Sequence, residues 1–302
     1  MKKVALVILH FINKKLTDQC LESVENLNMK GLSLQTIVIN NNPRENLENL
    51  EEKFTDFVFI KTGKNLGFAG GNNFGIKQAL ESKTNWVFLI NNDTILDKDL
   101  VVRLIEAGEA DGKIGILGSK IYFAPGFEFR QERYKPNERG KVFWYPGGLI
   151  DWQNVLASHR GVDEVDKGQY DEQIETDFVS GCAMFVKSEV FKRIGLLDER
   201  YFLYWEDAEF CQRAKKAGYK VVYTPKAKLW HANAGSSAVG GSLQDYYLTR
   251  NRLLFGIKYA SLQTKVALIR ESMKLLFTGR KWQRIGIRDF YLRKFGKGSY
   301  ET

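Results

Sequence analysis

The chain has 302 residues, 44% hydrophobic and 27% charged, with 27 glycines, 5 prolines and 3 cysteines. That composition excludes a disordered chain, a collagen and a small disulfide-stapled scaffold, and the length suffices to bury roughly three quarters of the extended-chain surface. The net charge of +9 is unevenly placed: residues 258–302 hold eleven basic and three acidic side chains, or +8, so any polyanionic partner is to be sought first at the tail.

Lys2 and Lys3 before the apolar run 4–9 imitate a signal peptide, but the run stops at His10 and no cleavage site follows. Residues 4–10 (VALVILH), 36–40 (TIVIN), 57–61 (FVFIK) and 86–90 (WVFLI) read as strands, with a weaker one at 114–117. Between them, 17–28 sets Cys20, Leu21, Val24 and Leu27 on one helical stripe, and 69–82 opens with glycines before Phe74, Ile76, Ala79 and Leu80. The alternation predicts an α/β fold with a mostly parallel central sheet flanked by helices. Ligands in such a sheet sit beyond the carboxyl ends of the strands, which directs attention to residues 10–13, 40–43, 63–73 and 91–94. Residues 122–176 lose periodicity and scatter Phe127, Phe129, Trp144, Tyr145 and Trp152 among glycines and prolines, the pattern of hairpins or long functional loops. Structure resumes with a strand within 178–186, helices at 188–194 and 206–217, and strands near Val221 and Leu229. A helix over 242–259 precedes one whose Leu262, Val266, Ile269, Met273 and Leu276 form an apolar stripe. No apolar run approaches 18 residues, so no bilayer span is expected. Cys20, Cys182 and Cys211 lack ligand spacing and fit a reducing, cytoplasmic compartment.

Four segments carry side chains suited to chemistry. NLGFAGGNNFG (65–75) is a glycine-rich turn into a helix, in which Gly67, Gly70 and Gly71 would let the backbone approach a diphosphate or ribose; a structural turn reads it equally well. LINNDT (89–94) ends a buried strand on Asn91, Asn92 and Asp93. Asp93 offers one hard oxygen to Mg2+ or Mn2+, or makes an Asx turn before the next helix. From Tyr201 onward, four aromatic residues precede Glu206 and Asp207 at a helix start, a sugar platform with a general base or plain stabilisation of the helix dipole. LWH (229–231) sets His231 after a strand-like run, as a metal ligand or a structural histidine, whereas His10 and His159 have no such company in the sequence.

Taken in order, NLGFAGGNNFG, LINNDT, SGCAMFV, GLLDERYFLYWEDAEFCQRAKKAGYKV, LWH and YYLTRNRLL resemble glycosyltransferase family 2, in particular its rhamnosyltransferase and galactofuranosyltransferase branch, over residues 4–255. The resemblance implies a GT-A fold, with a catalytic domain over 1–240 (nucleotide-sugar half 1–120, acceptor half 121–240) and a basic helical region over 241–302. It implies inverting transfer of a sugar, rhamnose among the options, from a UDP or dTDP type donor. The acceptor would be a glycan or a polyprenyl-diphosphate-linked glycan in bacterial-type surface polysaccharide synthesis. By position, Asp207 is the general base, Trp205 and Glu206 border the acceptor, and Phe11, Asn40, Asn65, Gly70, Gly71, Asn91 and Asn92 line the donor pocket. Asp93 and His231 would hold the divalent cation, Mn2+ or Mg2+. Asn40 and Asn91 stand where the family usually has acids. The alternatives are an inactive homologue that binds nucleotide sugars and a nucleic-acid-binding protein that acts through the basic tail.

The basic tail leaves three readings open. Its helices could pack on the domain with a solvated basic face, or attach to the anionic inner face of the cell membrane, with Trp282 and Phe295 as anchors beside Lys281, Arg284 and Arg288. The third reading is oligomerisation through the apolar stripe. Nucleic-acid binding by this charge accounts for none of the six core segments, so no nucleic-acid partner is expected.

Overall fold

The computed structural model describes residues 1–233 and 241–300; residues 234–237, singled out with LWH in the sequence, lie outside them. Strands β1 (Lys2–His10), β2 (Leu32–Asn40), β3 (Val58–Lys61) and β4 (Trp86–Asn91) are parallel, side by side as β4-β1-β2-β3. Strands so placed are covered on both faces, which explains the unbroken apolar run of β1. Helices α1 (Lys14–Glu25), α2 (Glu48–Lys53) and α3 (Gly67–Glu81) make the connections. Asn13 starts α1 by accepting the Leu16 N–H on its side chain. A Cβ at Gly75 would lie 2.3 Å from Val7 and one at Gly71 2.5 Å from Leu9, so these glycines seat α3 closely on β1.

After β4 come β5 (Thr94–Leu96), α4 (Leu100–Glu109), β6 (Ile114–Phe123) and β7 (Phe143–Tyr145), then a separate hairpin of β8 (Gly148–Asp151) and β9 (Leu156–His159). The chain continues through β10 (Ile174–Glu175), β11 (Ala183–Lys187), α5 (Ser188–Ile194), α6 (Glu206–Lys216) and β12 (Lys220–His231). β11 inserts between β4 and β6 antiparallel to both, and β12 lies parallel to β6. The strand expected weakly at 114–117 runs ten residues and is buried throughout. Its signal was masked by Gly115 and Gly118, which admit Tyr219 and Val179, and by Lys120, whose buried ammonium is neutralised by Asp166 at 2.9 Å and by Asp171. The two strands expected near 221 and 229 are one, with its register broken between Thr224 and Lys228, where Pro225 supplies no N–H. Helices α2 and α4 were not anticipated: one is six residues long, and the other mixes Val101, Val102 and Gly108 into its pattern.

Helices α7 (Ser242–Tyr259), α8 (Leu262–Thr278) and α9 (Lys281–Tyr291) follow. The Trp282 ring packs on Tyr246 and Tyr300 (6.1 and 4.7 Å between centroids) and Phe295 on Phe290. Neither is the free anchor the sequence suggested. Among the described residues no helix is long and apolar enough to cross a membrane. The three cysteines are free and buried.

Candidate active site

The carboxyl ends of β1 and β4, the turn before β11, the loop leading into α6 and the end of β12 surround a cleft of about 760 Å3, the size of a small-molecule site. Of the residues singled out in the sequence, Phe11, Asn65, Asn91, Asn92, Asp93, Glu206, Asp207 and His231 line it together. Asn65 accepts the Gly67 N–H at 2.8 Å, and Asn92 donates to Thr17 Oγ1 and the Ile12 carbonyl at 2.7 and 2.9 Å.

Four others stand elsewhere. Asn40 donates to the Glu45 carbonyl at 2.8 Å and faces a second hollow beside Arg44 and Lys61. Successive side chains of extended backbone point to opposite sides, so it is Asn41 that reaches the cleft, bonding the Gly67 carbonyl and the Leu66 N–H at 3.0 Å each. Gly70 and Gly71 do not line the cleft; a Cβ on them would meet Leu66 and Leu9, so their smallness serves packing within and beneath α3. Trp205 is buried with its ring 4.7 Å from that of Phe255.

Asp207 sits in the first turn of α6, where its carboxylate accepts the N–H groups of Gly181 at 3.0 Å and Ala208 at 2.7 Å. Burial raises its pKa against the pull of those donors. Glu206 is raised much further, first by burial and then by the Asp207 charge, and its Oε2 has no hydrogen-bond partner among the described residues. Within the pair the negative charge is thus favoured on Asp207, which has the N–H donors, over Glu206. Opposite them, His231 Nε2 lies 3.0 Å from Asp93 Oδ1. Burial depresses the imidazole, but the Asp93 charge and neighbouring Cys182 outweigh it and hold it well above the ordinary histidine range. Residues 181 and 182 thus touch both halves of the site, Gly181 through its N–H to Asp207 and Cys182 beside His231.

The loop that delivers the two acids is bent into the left-handed region at Phe202, Tyr204 and Trp205, with φ of 65°, 68° and 75°. Such residues persist where surrounding structure imposes them. Here Asn251 of α7 does so: its Nδ2 group, aimed by the Arg250 Nε bond to its oxygen, donates to the carbonyls of Tyr201, Leu203 and Tyr204 at 2.8, 2.8 and 2.9 Å. Arg250 adds the carbonyls of Arg200, Tyr201 and Gly296 at 3.1, 3.0 and 2.7 Å. Glu209, buried one turn further along α6, is spent on Arg213, Lys258 and Tyr259.

Several cleft residues carried no sequence signal. Trp144 and His159 come from the aperiodic region and pack edge to face at 4.5 Å, with Trp144 equally close to His231. Burial pulls His159 down to about 4, so it is neutral. Lys297 and Tyr300 reach the cleft from the tail, a fold-back that no spacing rule predicts.

The architecture is that of a GT-A-like fold. GalNAc-T7, solved with UDP, GalNAc and Mn2+, superposes with a TM-score of 0.66 over 96% of this chain and 56% of that one, at 13% identity. The chain belongs to glycosyl transferase family 2, which residues 6–195 match. The expectations of this family and this fold are met. The low-salt glycan biosynthesis hexosyltransferase of Haloferax volcanii is 26% identical over 66% of this chain and 60% of its own length. The N-acetylglucosaminyl-diphospho-decaprenol L-rhamnosyltransferase of Mycobacterium tuberculosis is 26% identical over 62% of each chain. This chain thus spans about 60% of the length of these curated relatives. The family match ends at residue 195, ahead of Asp207 and His231.

Proposed function

We propose that the cleft transfers a sugar from a nucleoside-diphosphate donor to a hydroxyl of a glycan acceptor, with inversion at the anomeric carbon. The observation that carries this reading is Asp207, a carboxylate fixed by two backbone N–H groups in a cleft of small-molecule size and lifted toward the pH at which it must work. It takes the proton of the acceptor hydroxyl as that oxygen bonds to the anomeric carbon. The bond from that carbon to the diphosphate breaks, and its electron pair leaves with the nucleoside diphosphate. Glu206, protonated, can donate a hydrogen bond to the acceptor without competing for its proton. Phe11, Asn65, Asn91 and Asn92 form the donor wall, and residues 1–240 supply the catalytic machinery.

The donor set at Asp93 and His231 suits a divalent cation, Mn2+ or Mg2+. They face each other across 3.0 Å, His231 Nε2 toward Asp93 Oδ1, and an ion entering there would take the place of the proton that the imidazole shares with that carboxylate. Its other ligands would be diphosphate oxygens and water, as is usual for magnesium. Such an ion, when bound, would act as a Lewis acid toward the charge developing on the leaving diphosphate.

The mycobacterial relative's name favours rhamnose as the sugar, from a dTDP or UDP type donor. It also favours a polyprenyl-diphosphate-linked acceptor, and we place the reaction at the cytoplasmic face of a membrane, within surface polysaccharide synthesis. The test is product formation, followed by mass spectrometry, from dTDP-rhamnose and a panel of UDP-sugars with a lipid-linked glycan and Mn2+. Asp207→Asn should lower transfer by about a thousandfold with donor-induced thermal stabilisation retained. Substantial turnover by that variant would overturn the assignment.

A further inference from the structure

Helix α8 turns most of its apolar stripe away from the domain. It buries Thr264, Leu268 and Ser272. Leu268 enters the notch left by Gly256 of α7, where a Cβ would lie 2.3 Å away, and Ser272 bonds Tyr291 of α9 at 2.7 Å. Of the apolar stripe only Leu276 is drawn against the core; Leu262 (78% exposed), Val266, Ile269 and Met273 stay outside, joined there by Phe277 (81%). At about 100° per residue the five outside share one narrow face of the helix, bordered by Lys265 on one side and by Arg270 and Lys274 on the other. The one acid of α8, Glu271, is turned away and held by Arg252 at 2.9 Å.

We infer that this face of α8 is a docking surface for a bilayer containing anionic lipid, with the helix lying in the plane of the interface. An apolar stripe flanked by cations is what an interfacial helix requires. Each cation near such a surface adds attraction. A second copy of this chain fits the face less well, because an isologous pairing would oppose Lys265, Arg270 and Lys274 to their own kind with no carboxylate to match. This rests on the membrane-linked acceptor proposed above and identifies which part of the molecule meets the membrane: α8, and not the Trp282 and Phe295 region.

The test is co-sedimentation of the full chain with vesicles of phosphatidylcholine alone and of an equal mixture with phosphatidylglycerol, at low and high salt. Wild type should pellet with the anionic vesicles and be released by salt. Ile269→Glu with Met273→Glu should weaken binding at least about tenfold, and so should Arg270→Gln with Lys274→Gln, at unchanged melting temperature because all four side chains are exposed. Asp207→Asn should bind vesicles like wild type, so loss of catalysis and loss of docking are read separately. Failure of wild type to bind, binding indifferent to both double variants, or a dimer in sedimentation velocity that Ile269→Glu with Met273→Glu disperses would each overturn the inference.

Discussion

Asn251 lies in α7, outside the cleft, and should nonetheless control turnover. Its two amide hydrogens are shared among three carbonyls of the loop that carries Glu206 and Asp207. At about 1 kcal/mol net for each bond, Asn251→Ala removes roughly 3 kcal/mol from the folded loop. Three left-handed residues store about 1–3 kcal/mol each, so part of that loss returns as the loop relaxes out of Phe202, Tyr204 and Trp205 geometry. The net destabilisation should be about 1–2 kcal/mol, a fall in Tm of a few degrees. Relaxation moves Asp207 off its line with the acceptor, and a misplacement near 1 Å is worth about a hundredfold in rate. Steady-state sugar transfer by Asn251→Ala should thus show kcat down about a hundredfold, donor KM changed little, and the protein still folded at the assay temperature. Asn251→Asp has the same shape without the N–H donors and should be at least as impaired. A kcat within threefold of wild type for either variant would refute the claim that these bonds hold the acids in place.

Glu206→Gln should stabilise the protein at neutral pH. The carboxyl is raised far above its unfolded value, first by burial and then by Asp207, so the folded state binds the extra proton. Wild-type stability therefore falls as pH rises from about 4.3, the unfolded value, toward the folded pKa. The glutamine variant should lack that slope in thermal melts, and equal slopes would argue against a protonated Glu206. Asp207, also raised by burial, should place the acid limb of the kcat profile above the ordinary aspartate range of about 3.9, activity being lost as pH drops and the base is protonated. An acid limb at or below that value would contradict the assignment. Excess chelator should abolish transfer and Mn2+ or Mg2+ restore it, whereas undiminished activity in chelator would exclude the ion proposed at Asp93 and His231.

The parallel half of the sheet was readable because β1, β2 and β4 are buried on both faces and so consist of apolar runs that no helix of that length would show. β6 was harder for the same physical reason inverted: a central strand that encloses a paired lysine and two glycines no longer looks like one. At the site, Asp93, Glu206, Asp207 and His231 could be named because polar groups at strand ends and helix starts break an apolar pattern. Asn40 and Asn41 could not be told apart, since which neighbour faces a cleft depends on strand pleating and not on residue type. Gly71 and Gly75 advertise closeness without saying to what, and only the packed helix reveals that Leu9 and Val7 take the space. Trp144, His159, Lys297 and Tyr300 arrive by long-range folding, and nothing local marks them.

The reversed strand β11 has a mechanical consequence. Its ladder with β4 locks Ala183 opposite Ile90, and the two residues just ahead of it bear on opposite sides of the cleft. The offset between the two walls is therefore measured by one peptide unit, a fixed Cα spacing of about 3.8 Å, held against a strand that cannot slide without breaking its register. The alignment of Asp207 with His231 is thus tied to the sheet, through residues 181 and 182, and not to the loops at the rim of the cleft.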